Sequence, residues 1–391
     1  MLPKFSPLRA LLLAQFLSAF VDNMILFIAL GIIHRDGYPE YYLPLVQSTF
    51  LFSYIILSPW VGRFADKKPK SQVLMVGNVV KTLGIILLLA KCDPAISYGV
   101  VGIGAVIYSP AKYGILPLLA RGEVALLRAN SSLESYTILA ILTGSVAGGY
   151  LSELSIPLSL LACIVLYGLS IGVNILIPND PGNRSIQYSN AVKEFVADTA
   201  TLFHDKQSHY SLIGTGSFWM ASAVLRMIIF AWVPLTLSIS SRMEISMIIA
   251  VTGIGIAVGA IITPYLITVK EYHKTAWYGL GMGICILAFL LIKALAIATI
   301  FLLLIGCMGG IFIVPMNACL QHIGHQTIGA GKTIAVQNFV ENSFMFLGVG
   351  AYTLAFKFGV SIHSSLAATG IVFLAFVVYL VLLTRQARGA R

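Results

Sequence analysis

The chain alternates long apolar windows with short polar segments along its whole length. Each window holds about 20 mostly apolar residues, enough for a helix to cross a hydrocarbon core of ~30 Å. The windows lie near residues 8–31, 44–62, 72–90, 96–119, 131–152, 157–177, 210–237, 245–268, 275–293, 295–316, 333–356 and 362–384. The pattern predicts an all-α polytopic membrane protein with an N-terminal six-helix bundle (1–178), a cytoplasmic linker (179–208) and a C-terminal six-helix bundle (209–391).

Composition excludes a soluble globular protein. Of the 391 residues, 58% are hydrophobic and 10% are charged, whereas about 25% charged residues is ordinary for a soluble domain. The five cysteines include no pair at metal-binding or redox spacing, and the seven histidines form no HxxxH array. A membrane enzyme would need a nucleophile and base or a metal set, so we expect no enzymatic activity, no metal and no cofactor.

The 25 basic residues indicate which side of the membrane each loop faces. If the N-terminus is cytoplasmic, most of them fall on the inside, the bias typical of cytoplasmic loops. The inside set is Lys4, Arg9, Arg63, Lys67, Lys68, Lys70, Arg121, Arg128, Arg184, Lys193, Lys206, Lys270, Lys274, Lys332, Arg385, Arg388 and Arg391; the outside set is Arg35, Lys91, Arg242, Lys293 and Lys357. We therefore predict that both termini are cytoplasmic and that the net charge of +10 reflects topology rather than nucleic-acid binding.

Two parts of the sequence repeat each other and indicate a duplication. Pro110 interrupts window 4, and an Asn-x-x-x-Glu pattern, Asn130 to Glu134, begins twenty residues later. Pro315 interrupts window 10, and a Gln-x-x-x-Glu pattern, Gln337 to Glu341, begins twenty-two residues later. Both copies begin helices that run in the same sense, which predicts parallel halves related by an axis along the membrane normal.

Six charged residues lie inside the apolar windows, more than two residues from either end, although a charge at the bilayer centre costs about 3 kcal/mol or more. Asp22 and Arg226 lie about 21 and 24 Å along windows 1 and 7, at 1.5 Å per residue. We predict that they pair as a gate across the outer mouth when the protein opens inward, with Asn23 beside them. The alternative is a permanent ion pair that joins two helices, with Asn23 as a polar neighbour.

The other buried charges are candidates for ligand binding. Lys112 and Glu134 fall at the same level on neighbouring antiparallel helices, so a pair between them is plausible; the alternatives are a snorkelling lysine and a carboxylate that caps its helix. Lys81 lies near mid-depth, and its alternative role is that of a buried partner of Asp22 or of a backbone carbonyl. In window 11, Gln337 with Glu341, and Asn338 with Asn342, form a polar face at i, i+4 spacing. Half of that face would serve interhelical hydrogen bonds.

Several motifs resemble known transporters. The loop Gly62-Arg63-Phe64-Ala65-Asp66-Lys67-Lys68 resembles the cytoplasmic signature of the major facilitator superfamily, and its second copy near Lys270 has decayed. Further motifs resemble the bacterial lysophospholipid transporter family: residues 14–23 (AQFLSAFVDN), 108–116 (YSPAKYGIL), 144–149 (GSVAGG), 314–318 (VPMNA) and 329–342 (GAGKTIAVQNFVEN). The chain departs from that family at Val21, where members have glycine, and at Lys332, where they have a smaller polar residue.

The resemblance implies a major facilitator fold, in which the two bundles surround a central cavity, and Gly62 and Asp66 as gating residues. It also implies a monomeric carrier in the bacterial inner membrane. Its substrates would be lysophosphatidylethanolamine and lysophosphatidylglycerol, moved from the outer to the inner leaflet. There a separate acyl carrier protein synthetase and acyltransferase would re-acylate them.

The chemistry of the buried residues suits such a headgroup. Lys112, Lys81 or Arg226 would bind the phosphate, and Glu134, Glu341 or Asp22 the ammonium, through charge-assisted hydrogen bonds. Residues 329–333 end in Gly-Lys-Thr but lack the first glycine of a phosphate-binding loop, which excludes ATP hydrolysis. The alternative is a proton-coupled exporter of drugs or small amphiphiles, whose transport would collapse with the proton gradient.

Overall fold

A computed structural model describes residues 6–38, 42–178, 180–239 and 242–389. Its α-helices, in chain order, are α1 Pro7–Arg35, α2 Tyr42–Lys67, α3 Lys70–Leu89, α4 Pro94–Gly114, α5 Leu116–Leu119, α6 Glu123–Leu154, α7 Ile156–Asn174, α8 Ala191–His204, α9 Lys206–Leu237, α10 Arg242–Leu266, α11 Thr275–Ala288, α12 Leu295–Gln326, α13 Ala330–Lys357 and α14 Ile362–Gly389. Twelve helical spans within these residues are long and apolar enough to cross a membrane. The prediction of an all-α polytopic membrane protein is confirmed. Lys4, Asn179 and Arg391 lie outside the described residues.

Several helix starts follow directly from local sequence. Ser6 and Asp93 each precede a proline at the first turn, and their side chains accept hydrogen bonds from free N–H groups of α1 and α4. Proline suits this position because its missing N–H would have no helical partner there. Asp205 caps α9 in the same way through the N–H of Ser208, at 2.8 Å. Helix α9 therefore begins at Lys206, within the segment 179–208 that the sequence assigns to the linker.

The structure divides window 4 into two helices. Helix α4 ends at Gly114, and the short helix α5 follows with Pro117 in its first turn. Pro117 has no N–H to donate to the carbonyl of Tyr113, four residues earlier, so the series of helical hydrogen bonds is interrupted there. Window 9 also contains more than one helical segment, because the 3₁₀ turns Val269–Lys274 and Phe289–Leu291 flank α11.

The chain forms two compact units. Unit 1 comprises Met1–Arg121, Leu139–Ala200 and Gly324–Phe339. Its core lies around Met24, Ile28, Tyr98 and Tyr167. Helices α3 and α4 pack backbone to backbone, since a Cβ on Gly104 would lie 2.5 Å from the carbonyl oxygen of Gly77.

Unit 2 comprises Gly122–Ile138, Thr201–Ile323 and Val340–Arg391. Aromatic rings fill its core: Trp232 packs on Phe289 at 4.7 Å between centroids, and Phe312 packs edge-on against Phe373 at 6.0 Å. Helix α6 thus contributes its first turns to unit 2, and α13 contributes its first turns to unit 1. The two six-helix halves expected from the repeat stay a prediction, because they divide the chain by sequence and the units divide it by packing.

Candidate functional site

An ion pair lies in the interior of unit 1, between α1 and α3. The Lys81 ammonium is 2.7 Å from Asp22 Oδ2 and donates a second hydrogen bond to Ser18 Oγ at 2.9 Å. Tyr167 donates its hydroxyl to Asp22 Oδ1 at 2.5 Å. Lys81 is 1% exposed, and the ring of Tyr108 lies 4.8 Å from its nitrogen. The alternative role of Lys81, a buried partner of Asp22, is what the structure shows.

Neutral polar groups extend this network through unit 1. Asn78 accepts a hydrogen bond from Ser18 and donates one to Ser170, both at 2.9 Å, and Ser170 donates to the carbonyl of Ala14 at 2.8 Å. Buried charges are stable when their remaining hydrogen-bonding capacity is filled in this way. The network therefore joins α1, α3 and α7. Replacing any one of its members with an apolar side chain would leave the buried partner without one of its hydrogen bonds.

A second polar cluster lies at the C-terminal end of α2, which the distribution of basic residues predicts to be cytoplasmic. Asp66 accepts hydrogen bonds from the backbone N–H groups of Gly331 at 2.8 Å and of Lys332 at 3.0 Å. These N–H groups begin α13, where the helix dipole favours a carboxylate. A Cβ on Gly62 would lie 2.8 Å from Lys332 Cα. We call the Asp66 contact with the start of α13 the cytoplasmic latch, and glycine at position 62 lets the two helices approach closely enough to form it.

Replacing Asp66 with alanine should weaken the cytoplasmic latch. A reporter carrying Ala335→Cys detects this, because Ala335 is buried against Gly62 and its labelling requires α13 to leave α2. Two hydrogen bonds to a carboxylate are worth about 1.5–3 kcal/mol each at most, so we expect the introduced thiol to be labelled about tenfold faster or more. The measurement uses a membrane-impermeant maleimide on inside-out vesicles, with the five native cysteines replaced.

The exposed acid Asp36 provides the matched control for this experiment. It directly follows the last residue of α1, and Asp36→Ala removes the same carboxylate without touching the cytoplasmic latch. Its labelling rate should equal that of the parent reporter. Equal rates for Asp66→Ala and the parent would show that the latch contributes nothing to closure.

Two further contacts join the repeated segments. In unit 1, Asn338 of α13 donates to Ser109 of α4 at 2.9 Å. In unit 2, Asn130 of α6 and Gln321 of α12 exchange hydrogen bonds at 2.9 and 2.8 Å. Each proline-containing helix thus bonds the polar residue of the span that follows the other copy of the proline: α4 bonds α13, and α12 bonds α6.

The carboxylate of Glu134 has an amide partner in unit 2. Its Oε1 accepts a hydrogen bond from Asn317 Nδ2 at 3.2 Å, and Glu134 is buried. Asn317 stands two residues after Pro315, as Lys112 stands two residues after Pro110. The two halves therefore place different chemistry at the equivalent position, an amide in one and a lysine in the other.

The chain is similar to a known protein superfamily and to several named relatives. The family model of the Major Facilitator Superfamily matches residues 11–349. Proteins called lysophospholipid transporter LplT match as well: that of Photorhabdus laumondii is 40% identical over 358 residues, 91% of this chain and 90% of that protein. Those of Pectobacterium carotovorum and Escherichia coli K12 are 41% and 40% identical over 91% of this chain, covering 88% and 90% of the relatives.

The chain belongs to the lysophospholipid transporter family of the major facilitator superfamily. Solved structures of low identity share the fold of this family member. The human organic anion transporter MFSD10 has a TM-score of 0.76 at 11% identity over 96% of this chain and 99% of that one. The E. coli fucose:proton symporter FucP has 0.71 at 14%, over 96% and 98%. This major facilitator is therefore a multi-pass membrane transporter rather than an enzyme.

With one exception, the remaining predicted site residues of the transporter are buried or partly buried. Lys112 is 9% exposed, with its ammonium 4.3 Å from the centre of the Tyr113 ring. Gln337 and Glu341 are buried. Asn23 donates to the carbonyl of Ala19 at 2.8 Å, so it bonds within its own helix. The predicted Lys112–Glu134 pair stays a prediction.

Arg226 differs from the other intramembrane charges because its side chain is exposed. Within the described residues it makes no ion pair or hydrogen bond. Asp22 already has two partners, and a gate that joins Asp22 to Arg226 would have to share the carboxylate with them or displace one of them. That gate stays a prediction.

Sequence reasoning missed several members of these clusters. Tyr167 and Tyr108 lie in apolar windows, where tyrosine carries no signal that separates a polar role from packing. Glu194 and Asp198 of α8, which contact Arg63, lie in a segment interpreted as a linker. Their i, i+4 spacing, which would place both acids on one face of a helix, was a usable signal.

Within the described residues, no group of three His, Cys, Asp or Glu side chains could hold a metal ion.

Proposed function

We propose that this transporter carries lysophosphatidylethanolamine and lysophosphatidylglycerol from the outer to the inner leaflet of the bacterial inner membrane. The relatives that share about 40% identity are lysophospholipid transporters by name. The observation that carries the proposal is Lys112, a buried lysine two residues after a proline in an apolar helix. A cation in this position suits the phosphate that both headgroups share.

The two headgroups set different demands on the protein. The phosphate is common to both, so Lys112 would contribute to the binding of either lipid through a charge-assisted hydrogen bond. The ethanolamine ammonium is present in one lipid and absent from the other. The carboxylates of Glu134 and Glu341 stay the candidate partners of that ammonium, whereas Asp22 is already neutralised by Lys81.

Release to the inner leaflet would require the cytoplasmic latch to open. The lipid would move down its own gradient by alternating access, with its single acyl chain remaining in hydrocarbon. Re-acylation by an inner-face acyl carrier protein synthetase and acyltransferase would remove the product and draw transport forward. Both termini of the transporter would face that cytoplasmic side, and a monomer would suffice.

Replacing Lys112 with glutamine should lower the uptake of both lipids. A lost charge-assisted hydrogen bond is worth about 1.5–3 kcal/mol, which corresponds to a decrease of roughly tenfold to a hundredfold. Uptake of labelled lysophosphatidylethanolamine and lysophosphatidylglycerol into cells depleted of the wild-type protein measures the effect. Glu341→Gln should lower ethanolamine-lipid uptake more than glycerol-lipid uptake.

Lys293→Gln removes the same charge from an exposed outer loop and should leave uptake unchanged. An uncoupler added to the wild type separates this proposal from a proton-coupled exporter, because gradient-driven lipid uptake should persist. Unchanged uptake in Lys112→Gln, at equal protein levels, would rule out the assigned phosphate site.

A further inference from the structure

The segment between the two six-helix halves contacts the cytoplasmic ends of unit 1 along its length. Asp180 binds Lys70, with its Oδ1 accepting the backbone N–H at 2.6 Å and its Oδ2 lying 3.0 Å from Nζ. Asn183 donates its backbone N–H to the carbonyl of Asp66 at 2.8 Å. The ring of Tyr188 lies 4.7 Å from the Lys67 ammonium. A flexible tether would not need contacts of this kind.

The backbone and the tyrosine of this segment are adapted to the contact. Gly182 has a φ of +60°, and a Cβ there would lie 2.6 Å from the carbonyl oxygen of Lys67, so glycine lets the segment lie against the α2–α3 turn. Burial raises the pKa of the Tyr188 hydroxyl. The phenol therefore stays neutral at physiological pH and offers its ring to Lys67.

Helix α8 and its neighbours bring four charges into a compact arrangement. Glu194 and Asp198 lie on one face of α8 at i, i+4 spacing. Arg63 of α2 forms an ion pair with Glu194, and its Nη2 lies 3.9 Å from Asp198. The Lys332 ammonium of α13 lies 3.3 Å from Asp198 and 4.0 Å from Glu194.

This arrangement surrounds the cytoplasmic latch. Arg63 follows Gly62 in α2, and the backbone N–H of Lys332 is one of the two groups that Asp66 binds. The two cations therefore come from the two helices that the latch joins, and both acids come from α8. The ring of Phe195 packs edge-on against that of Phe339 at 5.5 Å, so α8 also holds α13 through apolar contact.

We propose that residues 180–198 form a cytoplasmic strap that holds the latch closed. The strap fastens α2 and α13 together through Arg63 and Lys332, and it must release at least one of them before α13 can leave α2. Lys332 gives this chain a cation where the resemblance leads one to expect a smaller polar residue. The inference requires only that the protein opens on its cytoplasmic side and does not depend on which lipid it carries.

Three variants, Asp198→Asn, Lys332→Ser and the two combined, test the strap in the Ala335→Cys reporter described above. A partly exposed ion pair contributes only modestly, so each single variant should be labelled about threefold faster from the cytoplasmic side. The combined variant should be labelled clearly less than about ninefold faster, because both changes remove the Asp198–Lys332 contact, which is the shortest that either residue makes across the strap. Additive effects would show that Asp198 and Lys332 act separately, and the strap would be refuted.

Lys193→Gln is the matched control, since Lys193 is exposed on the same helix and contacts neither acid. Ionic strength supplies a readout that a purely structural role of α8 would not move. Higher salt should speed the labelling of the parent reporter, and the combined variant should respond less, because screening acts on the pair. Labelling that is unaffected by salt and by all three variants would show a passive linker. Lipid uptake is measured separately, so a failure of the substrate assignment leaves this test intact.

Discussion

Replacing Gly259 with valine is expected to abolish most of the folded protein. Helices α10 and α12 approach each other along glycines, and a Cβ on Gly259 would lie 2.0 Å from the carbonyl oxygen of Cys307. A Cβ on Gly306 would lie 2.1 Å from the carbonyl oxygen of Thr252, so the contact is equally close from the other side. Backbone atoms cannot move aside as a side-chain tip does, so the two helices must separate along their length.

The expected loss of stability exceeds that of ordinary overpacking, which costs about 1–3 kcal/mol. Close helix contact through small residues also provides much of the association of helices in a bilayer, where the hydrophobic effect does not act between them. The yield of monodisperse protein after detergent extraction, together with the midpoint of thermal unfolding, measures the effect.

The matched control for this prediction is Gly168→Val. A Cβ at Gly168 would meet no atom within 4 Å. The same substitution in a transmembrane helix should therefore leave yield and unfolding midpoint near those of the wild type. A Gly259→Val protein that is as abundant and as stable as Gly168→Val would contradict the close packing of α10 on α12.

The windows of apolar residues were sufficient to predict the fold because a bilayer imposes a length on each helix. The same windows could not show where a helix breaks inside a window. Pro117 divides window 4 because it lacks the N–H that would continue the helical hydrogen bonds, while it is well suited to the first turn of a new helix. Pro315 does not divide α12, which continues from Leu295 to Gln326. Sequence alone treats both prolines alike, and the packing around each decides the outcome.

The partners of the buried charges were harder to predict than their presence. Depth along the helix places Asp22 within reach of more than one cation, and the structure shows it on Lys81. The choice depends on the rotation of α1 and α3 about their axes. Helices that are apolar on every side have no polar face from which that rotation can be read.

The contacts of the linker with α2 and α13 were not predicted, for a different reason. Its polarity indicated a position outside the membrane, and polar segments between bundles are commonly connectors. The charges of Glu194 and Asp198 acquire meaning only once Arg63 and Lys332 are known to lie opposite them. Local sequence patterns do not indicate which residues far apart in the chain will be in contact.

Replacing Asp22 with asparagine is expected to destabilise the protein strongly, although asparagine has nearly the same shape. The change would leave the Lys81 ammonium buried without a counter-charge, with Ser18 as a neutral partner. Removing one member of a buried pair costs about 3–5 kcal/mol. Thermal unfolding of the purified protein in detergent measures the loss, and Glu153→Gln, which removes an exposed acid, is the control.

The second change, Lys81→Met, separates the structural role of the pair from its role in transport. Added to Asp22→Asn, it removes the stranded charge and should restore most of the unfolding midpoint, because apolar replacement of a whole buried pair is often neutral. Lipid uptake should stay low in this combined variant if Asp22 also serves as a gate, and should recover if the pair acts only to join α1 to α3. An Asp22→Asn protein as stable as the Glu153→Gln control would show that Lys81 does not depend on Asp22 for its charge. In that case the Lys81–Asp22 bond would not be the contact that holds the centre of unit 1 together.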